Sequence, residues 1–284
     1  MLKANPNAAR TLLAVDLSYQ TYRAAAAHPM LSYDGVFTGG VFGFLTTLAK
    51  QIRETGASEV VICQDRKPYR RSLLYPEYKM LRKAHQDEDL LEAYVASQPL
   101  VMEAIEEIGL PVMGVDGFES DDCIGWIVKQ QRHRWRKIYA ASNDSDLYQL
   151  FWCPWFAVLR KDLSDCVDYW RIAAGPMGMS PEEFMLSTAL QGTHNDIAGI
   201  PGVGPKRAYD AVKNPALMRS YRERYASLID RNLALIKLPH PEFPHIRLPH
   251  ATKSFDHRAL YRWASRYGIE VTKSMIDSFE QVSP

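Results

Sequence analysis

Residues 11–16, TLLAVD, form a short apolar run that stops at an acid. Residues 59–65, EVVICQD, do the same, and residues 138–146, IYAASNDSD, repeat the pattern with two acids. Helix-like stretches lie between them, at 40–54, 90–108 and 121–131. Short strands alternating with helices predict an α/β domain around a mainly parallel sheet. Ligands of such sheets gather beyond the carboxyl ends of the strands. Three strand ends finishing in aspartate are therefore expected to converge on one site.

The chain has 284 residues, 46% apolar and 24% charged. That is enough for one large domain, or a core with a smaller appendage. After about residue 185 the strand–helix alternation stops, and a soft boundary is expected near residue 187, with no flexible linker. The reading is a core over 1–187 and a C-terminal region over 188–284. No apolar run approaches the roughly 18 residues of a membrane span. The opening MLKANPNAARTLLAVD lacks a signal-like apolar stretch, so a cytoplasmic protein with no membrane partner is expected. Cys63, Cys123, Cys153 and Cys166 have neither CxxC spacing nor a nearby histidine pair, and read as buried thiols rather than a zinc site.

The formal charge is only +1, but it is unevenly distributed. Between Arg66 and Lys83 there are seven Lys/Arg against one acid, Glu77; between Lys206 and Lys237 there are eight against three. The compensating acids gather at Glu119–Asp122 and Asp144–Asp146. Basic segments beside acidic knots suit a metal-using protein that handles phosphate.

Hydrolysis of a phosphodiester needs an activated water and charge stabilisation on the attacking and leaving oxygens, which two divalent ions about 4 Å apart supply. Magnesium prefers oxygen ligands and keeps several waters, so such a site calls for many carboxylates. The candidates are Asp16, Asp65, Glu119, Asp121, Asp122, Asp144, Asp146 and Asp196. In GFESDDCIGW, Glu119 and Asp122 share one face at a helix start, where acids also serve as simple caps. Asp144 and Asp146 lie on one side if the chain is extended, or flank a turn if it is not. Eight acids at strand ends and helix starts repel one another unless cations compensate.

Residues 199–208, GIPGVGPKRA, follow the pattern of a helix–hairpin–helix element. Its glycines let backbone approach a phosphate, the next helix offers its N-terminal amides, and Lys206 and Arg207 add charge; a plain tight turn is the alternative. Residues 66–83, RKPYRRSLLYPEYKMLRK, interleave cations with Tyr69, Tyr75 and Tyr78. That combination suits a single strand, against the alternative of a solvated basic helix.

Together these segments resemble the flap endonucleases and 5′-to-3′ exonucleases, which include the 5′-nuclease domain joined to bacterial DNA polymerase I. The motifs run in order through LLAVDLSYQTYRA, TGGVFGFL, VICQD, YPEYKMLRK, GFESDDCIG, SNDSDLYQL, GTHNDIAGIPGVGPKRA and ALYRWASRYGIE. The resemblance implies a PIN-like α/β core whose mainly parallel sheet is flanked by helices. It also implies a basic helical arch at about 66–98 and a C-terminal helix–three-turn–helix subdomain. The implied cofactors are two Mg²⁺ or Mn²⁺ ions. Asp16, Asp65, Glu119, Asp121 and Asp122 would surround the first, and Asp144, Asp146 and Asp196 the second. Lys79 and Arg82 match catalytic cations of the arch. Tyr22, Arg23, Arg71 and Tyr78 fall in substrate-facing positions. The hairpin Gly202, Val203 and Gly204, with Lys206 and Arg207, would hold duplex, and its carbonyls are a candidate potassium site. The implied partner is DNA with a 5′ single-stranded end or flap, with RNA–DNA hybrid as a further substrate. A monomer is expected, with a polymerase as a candidate protein partner.

One departure stands out. The family pattern Gly-Asp-x-x-Asp reads here Gly192-Thr193-His194-Asn195-Asp196. A threonine in place of the first aspartate is expected to weaken the second ion. Three outcomes follow: activity that demands more metal, a shifted balance between exonuclease and flap cutting, or a protein that only binds junctions. Retained activity is the favoured expectation, because the other acids are present.

Overall fold

The computed structural model describes residues 10–81, 87–152, 154–168, 178–251 and 253–283. Arg82 of the expected arch and Cys153 lie outside the described residues. The central strand β1 (Thr11–Asp16) is buried along its whole length. It is flanked by β4 (Glu59–Cys63) and β6 (Lys137–Ala141), both parallel to it, with Ala14 opposite Val61 and Ala140. The sheet order is β5-β4-β1-β6-β7-β8, where β5 is Val112–Met113, β7 Phe156–Leu159 and β8 Cys166–Asp168. All neighbours are parallel except β7 and β8. A small hairpin, β2 (Ser32–Tyr33) with β3 (Val36–Phe37), stands apart. The mainly parallel sheet flanked by helices is thus observed. The strands β7 and β8, which the alternation does not announce, extend it.

Side chains alternate across a strand, and a parallel sheet buries both faces, so its strands carry apolar residues at every position. Leu13, Val15, Val60 and Ile62 enter one core, together with α1 (Leu17–Ala27), α2 (Gly39–Thr55) and α4 (Glu88–Ile108). Leu12, Ala14, Val61, Cys63, Ile138 and Ala140 enter the other, under α5 (Ser120–Gln130). Cys63 and Cys123 are buried thiols, as expected, while Cys166 is half-buried.

The chain ends of the strands set up the site. Asp16 closes β1 and caps α1, its carboxylate accepting from Tyr19 N at 3.1 Å. Asp65 lies two residues beyond β4. The run at 138–146 leaves the sheet at Ala141, and Asp144 then caps a 3₁₀ turn, Ser145–Leu150, so Asp144 and Asp146 flank a turn.

The segment expected as one C-terminal region divides in its packing. Helix α6 (Pro181–Gln191) starts with a Ser180–Glu183 capping box and ends at Gly192. It packs with α7 (Pro205–Lys213) and α8 (Pro215–Ile236) around Leu190, Ile200, Val203, Ala208 and Ile229. Gly192 and Gly199 let this turn close: a Cβ on Gly199 would stand 2.3 Å from the Gln191 carbonyl carbon, and Gly192 has φ +83°. By contrast α9 (His257–Arg266) and α10 (Lys273–Gln281) return to the core, where Leu260, Trp263 and Phe279 join the cluster of α2 and α4. The Trp263 indole N–H donates to Glu103 at 2.9 Å. Among the described residues no helix is long and apolar enough to cross a membrane.

Candidate active site

A cleft opens beyond the carboxyl ends of β1, β4 and β6, between the core and the α6–α8 cluster. Glu119, Asp121, Asp144, Asp146, Asn195, Arg71, Tyr78 and Lys79 line it, with Ile197, Leu235, Ile236 and Leu238 as its apolar wall. Four of the eight candidate acids therefore share one cavity. Asp16 and Asp65 belong to the same charge cluster. Burial, and then the neighbouring Asp65 carboxylate, push Asp16 up to about 7. Burial, followed by Asp144 and Asp16, holds Asp121 well above the usual carboxylate range. Asp146 is pushed up to about 8 by burial and by Asp144 beside it.

Local bonds fix these acids. Asp65 accepts from the Ser18 hydroxyl at 2.7 Å and from Ser120 N at 2.8 Å, tying β4 to the start of α5. The Ser142 hydroxyl donates to Asp16 at 3.0 Å and accepts from Asp144 N at 3.2 Å, joining the two strand ends. Gln149 donates to the Asp146 and Ile236 carbonyls, both at 2.8 Å, and accepts from Leu238 N at 2.8 Å. It thereby fixes the Asp144–Asp146 turn against the end of α8. Neither Ser142 nor Gln149 stands out in the sequence, because a hydroxyl or amide that positions an acid carries no charge or spacing signal of its own.

The cations divide into two kinds. Lys79, at φ +58°, pairs with Glu119 and lies over the rings of Tyr69 and Tyr78 at 5.6 and 5.3 Å. The Tyr78 hydroxyl donates to Glu119 at 2.7 Å. Although burial opposes it, Lys79 and Arg71 hold Glu119 below its ordinary value. Arg71 is different. It sits on α3 (Arg70–Leu74), is only 3% exposed, and spends its fork inside the protein. It donates to Asp122 at 2.5 and 2.8 Å, to Glu119 at 3.1 Å, and to the Leu235 and Lys237 carbonyls at 2.6 and 3.2 Å. Asp122, fully buried, also accepts from His240 N at 2.7 Å and Glu119 N at 3.1 Å. The structure thus commits Arg71, in the wall of the cleft, to a bidentate pair with the fully buried Asp122, rather than to a substrate-facing surface.

Two neighbours on the turn after α6 exchange the places the sequence suggests. Asp196, at φ +62°, turns its carboxylate to Leu81 N at 2.8 Å and does not line the cleft. Asn195 does line it, held by its N–H to the Thr193 hydroxyl at 3.1 Å. The remaining expected positions lie elsewhere. Tyr22 packs edge-on against Tyr94, and Arg23 donates to the Arg160 carbonyl at 3.3 Å. Gly202, Gly204, Lys206 and Arg207 are exposed at the start of α7, while Val203 is buried beneath them. There Arg207 donates to the Gly202 carbonyl at 2.8 Å.

The donor set suits a hard divalent cation. Its side chains offer oxygen, and Asp121 Oδ1 and Asn195 Oδ1 are buried acceptors with no hydrogen-bond donor among the described residues. Carboxyls crowded together and buried are raised toward neutrality unless a cation compensates them. Among the described residues, no three His, Cys, Asp or Glu side chains already close around one point. The fit is therefore one of donor chemistry and burial, in a cavity of about 10 Å³, room for about one water.

A family described as 5′-3′ exonuclease, N-terminal resolvase-like domain, matches residues 11–170. The chain is similar to a 5′-3′ exonuclease of Bacillus subtilis, 31% identical over 212 residues, covering 71% of this chain and 69% of that protein. It is also 28% identical over 255 residues to DNA polymerase I of Bacillus caldotenax, covering 82% of this chain and 28% of the polymerase. The chain spans about a quarter of the length of the polymerases it matches. A bacteriophage flap endonuclease, solved in complex with DNA and metal ions, shares the fold at a TM-score of 0.67 and 17% identity, over 95% of this chain and 100% of that one. With the family match extending over more than half of its length, this chain belongs to the 5′-3′ exonuclease family.

Proposed function

We propose that this protein is a structure-specific 5′-nuclease, hydrolysing DNA phosphodiesters at 5′ ends or flaps as a 5′-3′ exonuclease and flap endonuclease. One observation carries the reading: Glu119, Asp121, Asp144 and Asp146 face Lys79 across a single cleft at the carboxyl edge of the sheet. Two divalent ions, Mg²⁺ or Mn²⁺, would supply an activated water and offset charge on the attacking and leaving oxygens. Asp16, Asp65, Glu119 and Asp121 would hold one, and Asp144 and Asp146 the other. Lys79 brings a positive charge to the place where the scissile phosphate gains negative charge, and Arg82, outside the described residues, is proposed for the same role on the family resemblance alone. Asp122 acts through Arg71, fixing the start of α5 so that Glu119 and Asp121 point into the cleft.

The substrate strand would pass Tyr78 and the basic segment, with Tyr22 and Arg23 beside its path. The duplex would rest on Gly202 to Gly204, where the N-terminal amides of α7, Lys206 and Arg207 meet backbone phosphate. The hairpin carbonyls are a candidate potassium site, which Arg207 would have to leave. RNA–DNA hybrid fits the same contacts, since they read backbone. We further propose a cytoplasmic monomer that cooperates with a polymerase, because the matched relatives include polymerases carrying this segment.

A second reading has its own observation. Thr193 and Asn195 are neutral, and Asp196 is turned onto Leu81, so the loop after α6 gives the cleft no carboxylate. On that reading the protein binds DNA junctions without cutting them. Incubation of a flap duplex with a Mg²⁺ or Mn²⁺ series separates the two. Cation-dependent strand scission supports the nuclease. Binding with no scission at any cation concentration leaves the junction-binding protein.

A further inference from the structure

Asn195 is 2% exposed, yet its amide oxygen has no hydrogen-bond donor among the described residues. Buried acceptors in folded proteins are almost always paired, and one that is not calls for a missing partner. Here the oxygen belongs to a residue that lines the same cleft as Asp121, whose Oδ1 is also unpaired, and as Asp144 and Asp146. Three carboxylates and an amide oxygen share an interest in one kind of partner, a hard cation. Amide oxygens are ordinary ligands of such ions alongside carboxylates.

The backbone holds Asn195 in this position from both sides. Its N–H is spent on the Thr193 hydroxyl, and its carbonyl accepts from Lys79 N at 3.0 Å, which brings the segment after α3 against the turn. The adjacent Asp196, the acid that the sequence marks, is committed to Leu81 N outside the cleft. We propose that Asn195, through Oδ1, is the donor that the C-terminal region contributes to the divalent cation held by Asp144 and Asp146, and that Asp196 instead anchors the base of the arch. The inference rests on the metal-dependent reading above and deepens it. A neutral oxygen replaces a carboxylate, so this position binds its cation more weakly than the position near Asp16 and Asp65. Ligand charge count is a principal control of affinity at such sites.

The test is Mn²⁺ binding to the whole protein without DNA, followed by electron paramagnetic resonance of the free ion. It compares wild type with Asn195→Asp, Asn195→Ala and Asp196→Asn. The weaker of two classes of site is expected to tighten by about tenfold in Asn195→Asp and to loosen by a similar factor in Asn195→Ala, while the tighter class holds. Melting curves without metal show whether each variant is folded. If Asn195→Ala fails to fold, Asn195→Asp still decides. A wild-type affinity in Asn195→Asp overturns the inference, as does a larger loss in Asp196→Asn than in Asn195→Ala. If the wild type binds no Mn²⁺, both this inference and the metal-dependent function fall. If it binds two ions and the Asn195 variants leave both unmoved, only this inference falls.

Discussion

Replacement of Arg71 by methionine separates a buried strut from a DNA-facing arch cation. The guanidinium makes five contacts inside the protein, two of them to an Asp122 carboxylate that has no solvent exposure. Methionine fills the space but leaves Asp122 with only two backbone donors, and it strands the Leu235 and Lys237 carbonyls. Removing one partner of a buried ion pair typically costs about 3–5 kcal/mol, because the remaining charge is uncompensated. Against a total stability of roughly 5–15 kcal/mol that is a large fraction. It corresponds to a melting temperature lowered by roughly 10 °C. The assay is urea and thermal unfolding of both proteins, with Arg71→Met/Asp122→Leu as a third. Replacing both partners is expected to restore much of the loss, since packed apolar pairs often match buried ion pairs. A change within about 0.5 kcal/mol, as for an ordinary surface substitution, would refute the reasoning and return Arg71 to the DNA-binding surface.

Other outcomes follow from the same contacts. Asp144→Asn is expected to reduce cleavage by at least about 100-fold while leaving flap binding intact, measured by single-turnover cleavage and by filter binding. Lys206→Ala and Arg207→Ala should each weaken DNA binding without changing sequence preference. Each should lower the log–log salt slope by about 1, as read from affinities across a salt series. Glu183 offers a pH test away from the cleft. Burial works against its charge, but Lys213 at 2.7 Å and Ser180 N at 2.7 Å hold its carboxyl below the ordinary value. A depressed folded value means that the stabilisation is present above the unfolded carboxyl's range and is lost as pH falls through the folded value. Glu183→Gln should therefore be less stable than wild type in urea at pH 7, with the gap closing in acid.

The fold is legible because its strands are buried on both faces: LLAV and VVIC are apolar at every position, and an acid follows each run, Asp16 closing β1 and Asp65 two residues past β4. Asp16 and the Asp144 turn are legible for the same reason, since the strand end dictates where they must lie. The strands at Phe156–Leu159 and Cys166–Asp168 are too short and too irregularly flanked to announce themselves. Arg71 misleads because a basic run looks solvated, and only the tertiary approach of α5 and α8 shows that one of its members is enclosed. Asn195 lines the cleft while Asp196, at φ +62° in a turn closed by Gly192 and Gly199, turns its carboxylate away. Residue spacing carries no record of that angle. The aspartate that matches the family pattern outweighs a neighbouring amide until the cleft is seen.

The most direct test of the central claim is mapping of the products from a flap duplex labelled on its 5′ strand, with wild type and Asp144→Asn, across Mg²⁺ and Mn²⁺. The account predicts a discrete product cut near the junction, dependent on the cation and lost in the variant. Binding of the flap with no product under any cation would contradict it, and so would scission that persists unchanged in Asp144→Asn.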